Sequence, residues 1–164
     1  MEISSLKDMY LAELQELVSM EQQLAEALLR MAGTASHRTL KDALVDHHAE
    51  TAAHKDRLLS ILRKHGADPA AHVDQAMQAL IGETKKMLGI VKGDDLRDAG
   101  LIASAQKLEQ YEIAAYGSAA ALAGQLELRE DQNILHQILE EEKQADALLT
   151  DIAKDEVNAD ALAA

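Results

Sequence analysis

The amino-acid sequence predicts an all-α fold, a bundle of four long helices around one core. The residues Ala, Leu, Glu, Gln, Lys and Met, which favour helices, dominate the composition. The chain contains one Pro and no Phe, Trp or Cys. Apolar residues recur three or four positions apart over long stretches, as on one face of a helix. The length of 164 residues fits a single domain spanning positions 1–164.

The first two helices are predicted at about residues 4–32 and 36–65. Ser5 and Asp8 have the spacing of a capping box, and the apolar stripe that follows them ends at Gly33. Ser36 offers an N-cap for the second helix, and Gly66 follows its end. Because the joint between them is short, these helices should form an antiparallel hairpin.

The second half of the chain repeats this organisation after a connecting segment. Asp68-Pro69 indicates the cap and first residue of a shorter helix at about 69–90. Two more long helices follow at about 95–126 and 129–156, again joined by a short turn. The segment between the two hairpins, about 30 residues, is long enough to cross the bundle. One long crossover containing an extra short helix is the ferritin-like connectivity.

Charge and composition exclude several classes of function. The net charge of −13 and the pI of about 4.8 disfavour binding to nucleic acid or anionic lipid. No segment approaches the roughly 18 apolar residues of a membrane span, and the first residues lack a targeting pattern, so we expect a cytoplasmic protein. Without cysteine, any metal must be held by carboxylates, imidazoles or other oxygen ligands.

Acidic residues interrupt the apolar stripe of every long helix. Glu21 and Glu50 lie 29 positions apart and Glu112 and Glu142 lie 30 apart, so each hairpin should bring its two acids to a similar height. Further polar residues lie one turn away on the same or an adjoining face. The complete set of candidate metal ligands is Glu21, Glu50, His54, Glu109, Glu112, Glu142 and Asp146.

These acids predict two bound metal ions. A buried carboxylate without a partner costs several kcal/mol, and neither Lys nor Arg lies on the matching stripes. Two cations would balance the charge, and an oxygen-rich ligand set suits Fe, or Mn, better than Zn. Di-iron carboxylate bundles use two Glu-x-x-His pairs. This chain departs from that pattern, because Glu50 and His54 are four apart and Asp146 stands where the second histidine is expected.

Some assignments stay open at this level. Glu141 is an alternative to Glu142, although the stripe of the fourth long helix favours Glu142. His47 shares the face of Glu50 and is a candidate ligand or a residue that supports the ligands, although the role of a satisfied core histidine is favoured. Glu109 is open between direct ligand and supporting residue. Tyr116 lies one turn beyond Glu112 and is equally suited to donate a hydrogen bond to a carboxylate or to pack in the core. The remaining histidines, His37, His48, His65, His72 and His136, are expected to face solvent.

Four segments resemble the YciE/YciF family of ferritin-like stress proteins. They are Met20-Glu21-Gln22-Gln23-Leu24, His47-His48-Ala49-Glu50-Thr51, Gln106-Lys107-Leu108-Glu109-Gln110-Tyr111-Glu112-Ile113-Ala114-Ala115-Tyr116-Gly117 and Glu141-Glu142-Lys143-Gln144-Ala145-Asp146. The resemblance implies a ferritin-like fold, a two-iron site, a homodimer and an association with bacterial stress. His54 stands where the family often has Gln.

Three hypotheses of function follow. The first is a di-iron oxidoreductase that oxidises Fe(II) or reacts with peroxide or oxygen at the paired ions. The second is a metal-binding or structural stress protein without turnover, in which the ions stabilise the bundle. The third is an interaction module whose acidic layer holds no metal.

Overall fold

A computed structural model describes residues 3–164, and every regular element in that range is helical. The prediction of an all-α fold is therefore confirmed. The elements are α1 (Leu6–Thr34), α2 (Arg38–Lys64), α3 (Gln75–Ile90), α4 (Asp94–Gln125), α5 (Arg129–Ile152), a π-helical segment (Ala153–Val157) and α6 (Asn158–Ala163). Within the described range, no helix is both long enough and apolar enough to cross a membrane.

The four long helices pack around a shared interior. Helices α1 and α2 pack along each other, as do α4 and α5, while α1 also contacts α4 and α2 contacts α5. The ring of Tyr10, near the start of α1, lies edge-on to the ring of His65, just beyond the end of α2. The hydroxyl of Tyr10 also donates to Asp131 at the start of α5, over 3.2 Å. Helices α1 and α2 are therefore antiparallel, and α5 starts at the end of the molecule where α1 starts.

Apolar side chains fill the interior on both sides of a polar level. On α1, Leu14 and Leu17 lie on one side of buried Glu21, and Leu24 and Leu28 lie on the other. The same alternation of an apolar stretch, a polar stretch and a second apolar stretch occurs on α2, α4 and α5. The apolar packing on either side closes the polar level from the two ends of the helices.

Helix α1 is capped by a residue next to it in the sequence, whereas the start of α2 is capped by a residue from another helix. Ser5 accepts a hydrogen bond from the amide of Asp8 at 3.1 Å, which confirms the predicted cap of α1. The predicted side-chain cap of α2 by Ser36 is wrong. Instead, the buried carboxylate of Asp98 on α4 accepts from the amides of Ser36 at 2.9 Å and His37 at 2.7 Å. The start of α2 is thus fixed by a residue 61 positions away in the chain.

Helix α3 begins at Gln75, later than the start predicted at Asp68-Pro69. Asp68 instead forms a local turn, in which its carboxylate accepts from the amide of Ala70 at 3.0 Å. Asp74 is the cap of α3 and accepts from the amide of Met77 at 2.7 Å. The segment before α3 is held on α1, since polar side chains of α1 hydrogen-bond the backbone at Asp68 and Asp74.

Replacing Asp98 tests whether this distant cap stabilises the fold. The Asp98→Ala variant leaves two amide groups without their charged acceptor, so we expect the free energy of unfolding to fall by about 2 kcal/mol. Asp95→Ala is the matched control, because Asp95 lies exposed in the first turn of the same helix. Its loss should cost less than about 1 kcal/mol through the helix dipole. Equal losses in urea denaturation of both variants would contradict this role for Asp98.

Candidate metal centre

Four glutamates lie in the polar level between the apolar ends of the interior. Glu21 on α1, Glu112 on α4 and Glu142 on α5 have no solvent exposure, and Glu109 is 1% exposed. Helix α2 contributes His54, which is also fully buried, and His47, which is 6% exposed. Each of the four long helices thus delivers at least one possible metal ligand to a space that water barely reaches.

These six residues form two groups that share one member. In the first group, His47, Glu109, Glu112 and Glu142 each offer a ligand atom, and those atoms lie within 4.8 Å of one another. In the second group, Glu21, His54 and Glu142 meet the same criterion. Glu142 belongs to both groups, and its two oxygens face different histidines: Oε1 lies 2.7 Å from His54 Nδ1, and Oε2 lies 3.7 Å from His47 Nε2.

The side chains at this level have polar atoms that the protein does not satisfy. Both carboxylate oxygens of Glu109, Glu112 and Glu142 lack a hydrogen-bond partner, as does one oxygen of Glu21. The same is true of the ring atoms His47 Nε2 and His54 Nδ1, which lie 3.0 Å from Glu109 and 2.7 Å from Glu142 without hydrogen-bond geometry. Among the ion pairs of residues 3–164, Lys and Arg reach none of these four glutamates. This donor set fits bound cations.

Each of the two histidines also has a carboxylate near its outer ring nitrogen, and this carboxylate is more exposed than the histidine. His54 Nε2 lies 2.8 Å from Glu141, which also pairs with Arg57. His47 Nδ1 lies 3.4 Å from Glu50. In a neutral imidazole, a ring nitrogen that donates to such a carboxylate leaves the other nitrogen with its lone pair. In each ring that second nitrogen faces the buried glutamates, which is the arrangement of a metal-binding histidine.

When no metal is bound, burial of the carboxylates and the repulsion between them raise the pKa of several glutamates in this layer. Loss of solvation, with the nearby charge of Glu142, raises the pKa of Glu21 to about 8. The same causes raise the pKa of Glu112 well above its ordinary value. Burial lowers the pKa of His47 and His54, but the surrounding carboxylates outweigh burial and raise the pKa of both. Protons on some of its members therefore reduce the negative charge of the layer when no metal is bound.

Tyr116 forms a hydrogen bond with one of the buried glutamates. Its hydroxyl donates a hydrogen bond to Glu21 while its ring is buried in the core, so Tyr116 combines the two roles left open by the sequence. Burial and the negative charges around it raise the pKa of Tyr116 well above its ordinary value. The phenol consequently keeps its proton and holds one oxygen of Glu21.

The structure brings together most of the predicted ligands, but not all of them. Glu50 and Asp146 belong to neither ligand group. The Glu50 side chain is 56% exposed, whereas Asp146 is half-buried, with one oxygen accepting from Gln110 at 2.8 Å and the other buried without a partner. The prediction that Glu50 points inward is wrong, because α2 turns His47, Thr51 and His54 inward and places Glu50 on the flank. Thr51 continues the three-and-four spacing of the buried stripe of α2. Its position in the sequence therefore indicated which face of α2 points inward.

The histidines also depart from expectation in part. His47 was expected to be a satisfied core histidine, but it lies in the first group of possible ligands and its Nε2 has no hydrogen-bond partner. His65 does not face solvent as expected, since its side chain is 8% exposed and lies 2.6 Å from buried Asp131. His136 is exposed, as predicted. The stripe of α5 correctly favoured Glu142 over Glu141 for the interior, and Glu141 instead supports His54.

Comparisons with known proteins identify relatives of this chain. Residues 5–162 match the family described as a domain of unknown function, DUF892. Protein YciF of Escherichia coli (strain K12) is 36% identical over 159 residues, which cover 96% of each chain. The crystal structure of the E. coli stress protein YciF matches with a TM-score of 0.90 over 95% of this chain and 99% of that one. YcfI of Rhodopseudomonas palustris, described as a candidate structural protein, matches with a TM-score of 0.88 at 33% identity, over 91% and 95% of the two chains.

The shifted pKa values predict how stability without metal depends on pH. In the folded chain the pKa of Glu21 is about 8, which is above the ordinary value of a glutamate. Between these two pKa values, the folded chain keeps a proton on Glu21 that the unfolded chain has lost. That contribution to stability is present below the ordinary pKa and is lost as pH rises through about 8. The raised pKa values of His47 and His54 act in the same direction.

We therefore expect chelator-treated protein to have a lower free energy of unfolding at about pH 9 than at about pH 6, measured by urea denaturation. A Glu21→Gln variant should reduce the slope, because it removes one of the titrating groups. Added Mn(II) should reduce it too, since a bound cation replaces the protons. Chelated protein that is equally stable, or more stable, at the higher pH would contradict this account.

Proposed function

The chain belongs to the YciE/YciF family, represented by the DUF892 domain, and we propose that it binds two metal ions in the interior of a ferritin-like bundle. The observation that carries this proposal is the set of buried ligand atoms without partners on four separate helices. The first ion is held by His47, Glu109, Glu112 and Glu142. The second is held by Glu21 and His54 together with Glu142.

The packing of the long helices supports the ferritin-like interpretation. Helices α1 and α2 form one hairpin, α4 and α5 form the other, and the connection between them runs along α1 and includes α3. We interpret this as two antiparallel hairpins joined by a long crossover with an extra short helix, as the sequence predicted. The ligand layer then lies between the hairpins, which is where such bundles build metal sites.

Iron is the metal we propose, with manganese as the second choice. Four carboxylates and two imidazoles make an oxygen-rich set that also contains nitrogen, and the sequence has no cysteine to supply a thiolate. The set differs in order from the usual di-iron pattern, because both histidines come from α2 and α4 supplies two glutamates three positions apart. The ratio of carboxylates to imidazoles, four to two, is nevertheless the same.

For activity, we propose an iron oxidoreductase that oxidises Fe(II) or reacts with peroxide or oxygen. The bound ions would supply the electron transfer, while the chain holds them, excludes bulk water and keeps a proton on Tyr116 beside Glu21. A metal-binding or structural protein without turnover is the alternative. The description of YcfI, a relative at 33% identity, suggests a structural role for that protein and favours keeping this second candidate.

The wider setting is proposed from the family. E. coli YciF is described as a stress protein, and we extend a bacterial stress role to this chain. A homodimer is proposed from the same resemblance, and exposed apolar side chains such as Ile90 and Leu96 offer contact area for it. A net charge of −13 supports the proposal that nucleic acid is not a partner. A cytoplasmic location stays a prediction of the sequence.

Substitutions at the shared ligand test the proposed centre. Because Glu142 belongs to both groups, Glu142→Gln should reduce binding of both ions, whereas Glu21→Gln should weaken one of them. Glu140→Gln is the matched control, since Glu140 is exposed on the same helix and pairs with Lys143. Metal analysis after loading and gel filtration should find two ions per chain in wild type and in the control. Full loading of the Glu142→Gln variant would overturn the proposal of a shared ligand.

Ferrous oxidation separates the two candidate functions. In the oxidoreductase, wild-type protein should oxidise added Fe(II) faster than buffer, and Glu142→Gln should return the rate to that of buffer. The reaction can be followed by the absorbance of ferric products under air and with added peroxide. A wild-type rate equal to buffer, in protein shown to hold two ions, would reject turnover and leave the metal-binding role.

A further inference from the structure

A cavity of about 270 Å³ opens between α2 and α5 and reaches the ligand layer. Its inner end is lined by His47 and Glu109, which both belong to the first ligand group. The side chains at its outer end include Asp46 and Glu50 on α2 and Glu141 on α5, which are partly or largely exposed. The cavity therefore connects solvent with one of the two groups of buried ligands.

The inner end is built to receive a cation. Both oxygens of Glu109 lack a hydrogen-bond partner, and this side chain is 1% exposed. His47 Nε2 is also without a partner, while the opposite ring nitrogen lies near Glu50 at the outer end. Glu21 and His54, the members found only in the second ligand group, do not line the cavity. A cation that enters here meets the first group before the second.

The outer end carries negative charge and small side chains. No Lys or Arg lines the cavity. Glu141 pairs with Arg57. Asp46 and Glu50, by contrast, make no ion pair with Lys or Arg within the described residues. Ala43 on α2 and Ala145 on α5 leave the passage between the helices open. Clefts lined by one sign of charge raise the local concentration of oppositely charged ions. The volume is below the usual range for sites of drug-sized molecules, so the passage suits ions and very small molecules.

We propose that this cavity is the route by which divalent cations enter and leave the metal centre. The proposal rests on the proposed function, because it needs the buried layer to bind metal. Asp46 and Glu50 attract the cation, Glu109 and His47 receive it first, and Glu142 connects that position with the second one. Loading is then ordered: the group at the cavity fills before the group of Glu21 and His54.

Obstructing the passage tests the route. Ala145→Phe should slow loading of Co(II), followed by its visible absorption after rapid mixing, by at least about fivefold. Release to EDTA should slow by a similar factor, so that the equilibrium affinity changes by less than about twofold, because the ligands are untouched. Ala147→Phe is the matched control, since Ala147 is exposed on the same helix and does not line the cavity. If Ala145→Phe does not fold, Ala43→Phe obstructs the passage from the opposite wall.

A charge variant gives an independent readout. Asp46→Asn should lower the loading rate by about twofold at low ionic strength and have no effect near 1 M salt, where charges are screened over about 3 Å. Asp56→Asn removes the same charge elsewhere on α2, away from the cavity, and should leave the rate unchanged.

The outcomes distinguish the route from the centre. Slower exchange in Ala145→Phe with wild-type affinity, and wild-type kinetics in Ala147→Phe, support the route. Wild-type loading and release in a folded, obstructed variant would overturn the route while leaving the centre intact. Wild-type protein that binds no Co(II) would remove both proposals.

Discussion

The burial of four carboxylates in one dry layer is the constraint on which the rest of this structure depends. Glu21, Glu109, Glu112 and Glu142 lie between two apolar regions, and neither Lys nor Arg approaches them within the described chain. Full ionisation of such a layer would cost more than the stability of an ordinary domain allows, since each uncompensated charge costs several kcal/mol. The layer is tolerable only with positive charge inside it, supplied by protons or by metal ions.

The residues around the buried carboxylates are consistent with metal ions as the source of this positive charge. Protons can neutralise the glutamates, and a protonated His47 or His54 would pair with the carboxylate beside it. Metal ions would in addition supply the partners that both oxygens of Glu109, Glu112 and Glu142 lack. Glu50 and Glu141 lie behind the two histidine rings, where they fix the orientation of the rings. Partly exposed carboxylates beside histidines that face buried carboxylates also occur around metal sites in proteins. Tyr116 donates a hydrogen bond to Glu21, which is also in the layer.

The sequence predicted the glutamates that interrupt long apolar stripes, but it misplaced one residue by an error of helical phase and missed helix starts that depend on contacts between helices. Glu21, Glu112 and Glu142 interrupt long apolar stripes, so periodicity alone placed them inside. Glu50 was misplaced because treating it as an inward residue ignored Thr51, which continues the spacing of the stripe. The cap of α2 and the start of α3 were predicted wrongly for a different reason, because contacts with other helices set them. Asp68 and Asp74 are both suited to capping, and polar side chains of α1 help to decide where the chain becomes helical.

The most direct test of the account is anomalous diffraction from crystals of iron-loaded protein, measured on both sides of the iron absorption edge. The account predicts two peaks in the interior, one among His47, Glu109 and Glu112, the other between Glu21 and His54, with Glu142 in contact with both. Interior density without an anomalous signal after loading would contradict it. So would carboxylates that turn outward into water.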